Sequence, residues 1–162
     1  MPLVCHLHQL EEDNSTLQGE LTIAELELEN VDELIHLAEP LKYDVEAQLL
    51  GRSVLVKGRL QVPLHCECVR CLKAFTQELE LSDWTCLLEL EGEDKVPVSG
   101  DSVDLTPYVR EDILLALPQH PLCEPECRGL SWTAPSHGEQ VRENATTGDR
   151  SDVWAALNKL KL

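Results

Sequence analysis

The sequence predicts an α+β fold, a mostly antiparallel β-sheet or partial barrel with one main helix and a C-terminal tail. Over residues 54–64 the even positions Val54, Val56, Gly58, Leu60, Val62 and Leu64 are apolar or glycine. Lys57, Arg59, Gln61 and Pro63 lie between them, the period of two of a strand with one buried face. Leu105, Tyr108, Val109, Ile113, Ala116 and Leu117 form a helical stripe instead. The third observation is a split set of cysteines, Cys68-Val-Arg-Cys71 and Cys123-Glu-Pro-Glu-Cys127. Two such pairs brought together by folding complete a tetrahedral four-thiolate site, so the fold is expected to be stapled by a zinc knuckle.

Taken in chain order, residues 19–28 carry Leu21, Ile23, Leu26 and Leu28 with glutamates between, which fits a strand with an irregularity or a helix. Tyr43, Val45, Ala47 and Leu49 alternate with Asp44, Glu46 and Gln48, and Gly51-Arg52-Ser53 supplies a turn into the strand at 54–64, predicting a hairpin. Past Cys71, Phe75, Leu79 and Leu81 alternate with polar residues, and then Trp84, Cys86, Leu88 and Leu90 continue in the opposite phase. That slip predicts a bulge or turn near Ser82-Asp83. Cys68 and Cys71 would then occupy the bend between two antiparallel strands, where both sulfurs aim at one point. Residues 91–101 are acidic and turn-rich and read as a mobile loop. Asp104-Leu-Thr106-Pro107 starts the main helix with a side-chain cap and a first-turn proline, and Pro118 stops it. The expected organisation is one zinc-stapled domain over 1–130, a flexible linker over 131–151 and a short amphipathic helix over 152–162, with Val153, Trp154, Leu157 and Leu160 on one side.

The formal net charge is −17, and the first forty-one residues hold ten carboxylates and no Lys or Arg. Such a surface repels phosphate backbones, so free RNA is not an expected tight ligand. Seven cysteines, odd in number and paired at metal-like spacing, do not form a secreted disulfide framework, and the N-terminus shows neither a basic nor an apolar leader region. The expected location is the cytoplasm. No apolar run approaches the roughly 18–20 residues that cross a bilayer, so no membrane partner is expected. The sequons at Asn14 and Asn144 are then accidental.

The expected metal ligands are Cys68, Cys71, Cys123 and Cys127, holding one structural zinc. The gap between the pairs exceeds the usual ribbon separation of about 15–20 residues, so the site would close non-locally. Cys68-Cys71 as a redox pair is the alternative, but that chemistry wants a helix starting at the motif, whereas extended sequence follows here. Cys66 shares a strand face with Cys68 and reads as a spectator thiol, with Cys5 and Cys86 as packing residues. His65 and His120 each lie near a cysteine pair and are candidates to replace a thiolate, and His6 and His8 share a face if that segment is a strand. Arg70, Lys73, Arg110 and Arg128 either offset the charge of four thiolates or form a small cationic spot. No catalytic constellation is present: no P-loop, HExxH, Gly-rich dinucleotide fingerprint or Ser-His-Asp signature. The chain is therefore expected not to be an enzyme.

Cys68-Val-Arg-Cys71-Leu72 with Phe75, Asp104-Leu105 through Glu111-Asp112-Ile113-Leu114-Leu115-Ala116-Leu117-Pro118, then Pro121-Leu-Cys123 and Cys127-Arg-Gly-Leu130 resemble the YceD-like (DUF177) large ribosomal RNA subunit accumulation proteins of bacteria and plastids. The resemblance is close over the second half of the chain and confined to strand pattern in the first. It implies a non-enzymatic role in ribosome biogenesis that supports accumulation of large-subunit (23S) ribosomal RNA. The implied partners are large-subunit assembly components, basic ribosomal proteins or the 23S rRNA precursor, met through protein or limited RNA contacts. Many members continue past the Gly-Leu with further cysteines; here Ser131 stands there and no cysteine follows Cys127. Four family positions remain, enough for one zinc. The competing readings are a thiol redox protein or sensor using Cys68 and Cys71, and an acidic adaptor for basic ribosomal proteins.

Overall fold

Strand β5 (Ser53–Glu67) and strand β6 (Ala74–Glu89) form one long antiparallel hairpin, paired from Ser53↔Glu89 to Glu67↔Ala74, in a computed structural model that describes residues 2–131. The alternation read at 54–64 runs further than the sequence suggested. Val54, Val56, Leu60, Val62, Leu64, Cys66 and Cys68 are all buried, while Lys57, Arg59 and Glu67 on the other phase are exposed. One uninterrupted period of two therefore carries the core directly into the cysteine turn. Strand β4 (Leu41–Leu50) pairs with β5 as far as Lys42↔Gln61, and the two-residue strand β3 (Ile35–His36) takes over at Cys66 and His65. Pro63 stands in the gap between them, where an inner strand tolerates a residue with no N–H to donate.

The expected bulge is present. Gly58 faces Trp84 and Leu60 faces Leu81, so Ser82 and Asp83 together oppose Arg59. The extra residue turns Phe75, Leu79 and Leu81 on one side of it, and Trp84, Cys86 and Leu88 on the other, toward the same core. Gly58 is required by this packing, since a Cβ there would lie 2.5 Å from the Val45 Cα. Trp84 covers the bare backbone of Gly58 from the neighbouring strand, and its indole Nε1–H donates to the Asp112 carboxylate at 2.6 Å.

Strand β2 (Ser15–Leu21) pairs with β4 and ends the other side of the sheet, whose order is β2-β4-β5 with β3 and β6 both on β5. The expected partial barrel does not close: β2 and β6 are separate edges of an open sheet. Residues 22–28 leave the sheet as a turn and place Ile23, Leu26 and Leu28 in the core, so no strand continues around. Thr22 and Glu25 cap each other reciprocally, with Thr22 N–H and hydroxyl donating to the Glu25 carboxylate and Glu25 N–H donating to Thr22 Oγ1. That is how a helix begins, but Glu27 at φ 50° and Asn30 at φ 56° end it within a turn, so of the strand or helix expected over 19–28 only residues 19–21 are strand, in β2.

Two further corrections concern short elements. A helix α1 (Leu7–Glu12) follows strand β1 (Val4–His6), so His6 and His8 do not share a strand face. The loop expected at 91–101 includes strand β7 (Val98–Ser99), which turns through Gly100 into strand β8 (Ser102–Asp104), itself paired with β1. Helix α2 (Thr106–Ala116) begins as expected, with Asp104 Oδ1 accepting the Thr106 N–H and Pro107 in the first turn. Val109 and Ile113 are buried beneath it, and the buried Thr106 hydroxyl accepts the Leu3 N–H, tying α2 to the N-terminal strand. Apart from Ser131, the linker expected at 131–151 and the helix expected at 152–162 lie outside the described residues.

Gly58→Ala forces overpacking where β4 meets β5, and should lower unfolding stability by about 2–3 kcal/mol. Trp84→Phe, which strands the Asp112 carboxylate, should cost about 1–2 kcal/mol. Urea denaturation measures both.

Candidate metal centre

The first half of the centre follows from strand phase. Cys68 is the last inward residue of the β5 alternation and is fully buried. The chain then reverses tightly: Cys68 N–H donates to the Lys73 carbonyl, and Leu72 N–H donates back to the Cys68 carbonyl, both at 2.9 Å. Closing this turn puts Leu72 at φ 60°, a left-handed conformation costly for leucine, with its side chain 61 % exposed. The reversal returns Cys71 toward Cys68 and hands the chain to β6.

The second half arrives from α2, which stops ahead of Pro118 because the residue before proline avoids helical geometry. The Pro121 carbonyl accepts the Val69 N–H at 3.0 Å, and the Cys127 carbonyl accepts from Arg70 Nη1 at 2.9 Å. Cys127 N–H closes a turn onto the Glu124 carbonyl. Gly129 takes a left-handed φ of 83° beside the Arg70 backbone, where an added Cβ would meet the carbonyl oxygen at an ordinary 3.4 Å, so it is the backbone angle that favours glycine. These backbone-level bonds fix the two segments together independently of the sulfurs.

The four Sγ atoms lie within 4.8 Å of one another. The Cys71–Cys123 separation is 3.5 Å and the Cys68–Cys127 separation is 3.7 Å. Zinc–sulfur bonds of about 2.3 Å in a tetrahedron require sulfur–sulfur edges of about 3.8 Å. The donor set and its spacing therefore fit a tetrahedral thiophilic cation. Both of these separations run between the two segments, 52 and 59 residues apart, and extended β6 follows Cys71 in place of the helix a redox pair needs.

Electrostatics separate the thiols of the cluster. The Cys123 backbone draws the Cys68 thiol down most, burial opposes it, and the backbones of Cys71 and Arg70 bring it to about 6. Cys123 is pushed up to about 12, first by the Cys71 sulfur and then by burial. The Gly129 backbone pulls Cys127 down, but burial and the Cys71 sulfur outweigh it and leave the thiol raised. Backbone hydrogen bonds thus favour the Cys68 thiolate, while the bond with the Cys71 sulfur and burial favour the protonated Cys123.

Other sequence candidates fall elsewhere. Cys66 is buried in the core opposite Phe75, and burial followed by Asp32 raises its thiol. Cys5 is a core residue, and Cys86 packs half-buried with its thiol pushed up to about 11 by burial and then by Asp112 and Glu111. The His65 ring meets Thr76 Oγ1 and Glu39 on the outer face, and the cysteine cluster includes no histidine among the described residues. Arg70 bonds to the cluster backbone, while Arg110 Nε is buried without a hydrogen-bond partner among the described residues. Sequence reasoning missed Leu72 and Gly129 as backbone determinants. A glycine two places after a ligand cysteine was a usable signal; a leucine in a left-handed turn gives none.

An open antiparallel sheet joined by one main helix to a non-local four-cysteine centre describes the class. The family model described as large ribosomal RNA subunit accumulation protein YceD matches residues 56–161, and the chain belongs to this family. It is similar to an uncharacterized protein of Mycobacterium leprae, 28% identical over 143 residues, covering 83% of this chain and 64% of that protein. The uncharacterized protein YlbN of Bacillus subtilis is 25% identical over 165 residues, covering 97% of this chain and 94% of its own. An uncharacterized Mycobacterium tuberculosis protein is 31% identical over 99 residues, 56% of this chain and 47% of that one. The chain thus spans about half to two thirds of the length of the mycobacterial relatives. No solved structure matches it.

Leu72→Gly removes the left-handed penalty and should stabilise the protein by about 1 kcal/mol, whereas Gly129→Ala should cost about 1–2 kcal/mol. Thermal melts of the two variants should move in opposite directions.

Proposed function

We propose that this protein is a non-enzymatic assembly factor that supports accumulation of large-subunit ribosomal RNA in the cytoplasm. The carrying observation is family membership, because the family description names large ribosomal RNA subunit accumulation. Cys68, Cys71, Cys123 and Cys127 would hold one zinc ion, whose bonds to four thiolates supply folding energy and leave no open position for substrate. The ion's role is to lock α2 and the cysteine segment behind it onto the end of the β5–β6 hairpin. Arg70, donating to the Cys127 carbonyl, orients the second segment from outside the sulfur cluster.

A net charge of −17 argues against a sequence-independent grip on RNA phosphates. The reading is therefore of an acidic adaptor working chiefly through proteins of the assembling subunit. No helix among the described residues is long and apolar enough to cross a membrane.

Deleting the gene should lower large-subunit relative to small-subunit ribosomal RNA, and the wild-type chain should restore the ratio. The chain with all four cluster cysteines changed to serine should restore it poorly, because the unfastened segments lower the level of folded protein. An unchanged RNA ratio after deletion defeats the assembly reading.

A further inference from the structure

Among the described residues strand β6 has a neighbouring strand on one side only, although beyond residues 75–81 its Glu89 carbonyl also accepts the Val96 N–H. Fourteen of its 16 residues pair with β5, Ser82 and Asp83 forming the bulge, and among the described residues no strand pairs with its other edge. A run of backbone N–H and C=O groups therefore lies open to a further strand. The side chains flanking residues 75–81 divide cleanly by phase. Phe75, Leu79 and Leu81 are half-buried against the core, leaving along the rim an apolar shelf that the half-buried Gln77 interrupts. Thr76, Glu78 and Glu80 are exposed on the opposite face. Glu80 meets Arg59 at 3.3 Å, but Glu78 lies opposite Pro63 and has no ion-pair partner among the described residues. Glu78 also lines a shallow depression with Glu20, Glu39 and Lys42, which is net acidic.

This pattern rejects some occupants. In an antiparallel pairing of two copies centred on residues 78, 79 or 80, Glu78 or Glu80 would face a glutamate of the other copy, and like charges directly opposite are destabilising. An RNA backbone meets the same repulsion. A strand of alternating cationic and apolar side chains meets none. Its cations fall over Glu78 and Glu80, its apolar residues over the shelf, and its backbone completes the open ladder.

We propose that the free edge of β6 at residues 75–81 takes up an extended basic segment of a partner protein as an added strand. The inference deepens the assembly reading by giving the partner's chemistry, and rests on that reading for the partner's source. The test is a titration of the full chain with a synthetic peptide of alternating lysine and valine, about nine residues long, followed by backbone amide NMR. Expected are shifts and slowed amide exchange centred on residues 75–81, lost when the peptide backbone is N-methylated on one edge. Glu78→Lys with Glu80→Lys should weaken binding about tenfold, with an unchanged circular dichroism spectrum showing the fold intact. The inference is overturned if millimolar peptide leaves the β6 amides unmoved. It is equally overturned if binding survives N-methylation, which marks diffuse charge attraction, or if a glutamate-for-lysine peptide binds as well. Failure here with a normal RNA-ratio defect on gene deletion leaves the assembly reading standing; peptide binding without that defect does the reverse.

Discussion

Four sulfurs drawn together from two segments more than fifty residues apart are the constraint around which the described structure is organised. Joining ends at that separation costs a flexible chain about 4 kcal/mol in entropy by the cross-link model. The cost is offset from several sides. The β5 alternation delivers Cys68 already buried, α2 is anchored to the sheet through Trp84 and Asp112, and Val69 and Arg70 bond to the incoming segment's carbonyls. A left-handed Leu72 is tolerated because the turn it closes is the one that aims Cys71.

Charge bears on the same centre. The Cys123 backbone draws Cys68 down to about 6, and the Cys71 sulfur and then burial push Cys123 up to about 12; thiolates 3.5 to 3.7 Å apart would add mutual repulsion. The remainder of the molecule, at a formal −17, supplies few positive groups to relieve it. A formal charge of −17 also makes the surface a poor match for nucleic-acid phosphates.

The hairpin, the bulge, the main helix and the four-cysteine set were legible because each leaves a periodic or fixed-spacing mark. The reversed phase between Leu81 and Trp84 located the bulge to within a residue. Pairing order was not legible: nothing in the alternation says that β2 and β6 stay apart as edges of an open antiparallel sheet. Helix α1 has six residues and no side-chain cap, too little to leave a pattern. The 22–28 segment carries a true helix-start signal at Thr22 and Glu25, overruled two residues later by left-handed Glu27. At the centre, which four cysteines cluster could be read from spacing, but the Val69–Pro121 and Arg70–Cys127 bonds depend on tertiary approach and leave no local trace.

The most direct measurement is zinc K-edge X-ray absorption, with metal quantification, on protein purified without chelator. The account predicts one zinc per chain with four sulfur neighbours at about 2.3 Å and no nitrogen or oxygen in the shell. A metal-free protein, or a zinc bound through histidine or carboxylate in place of one of the four cysteines, would contradict it.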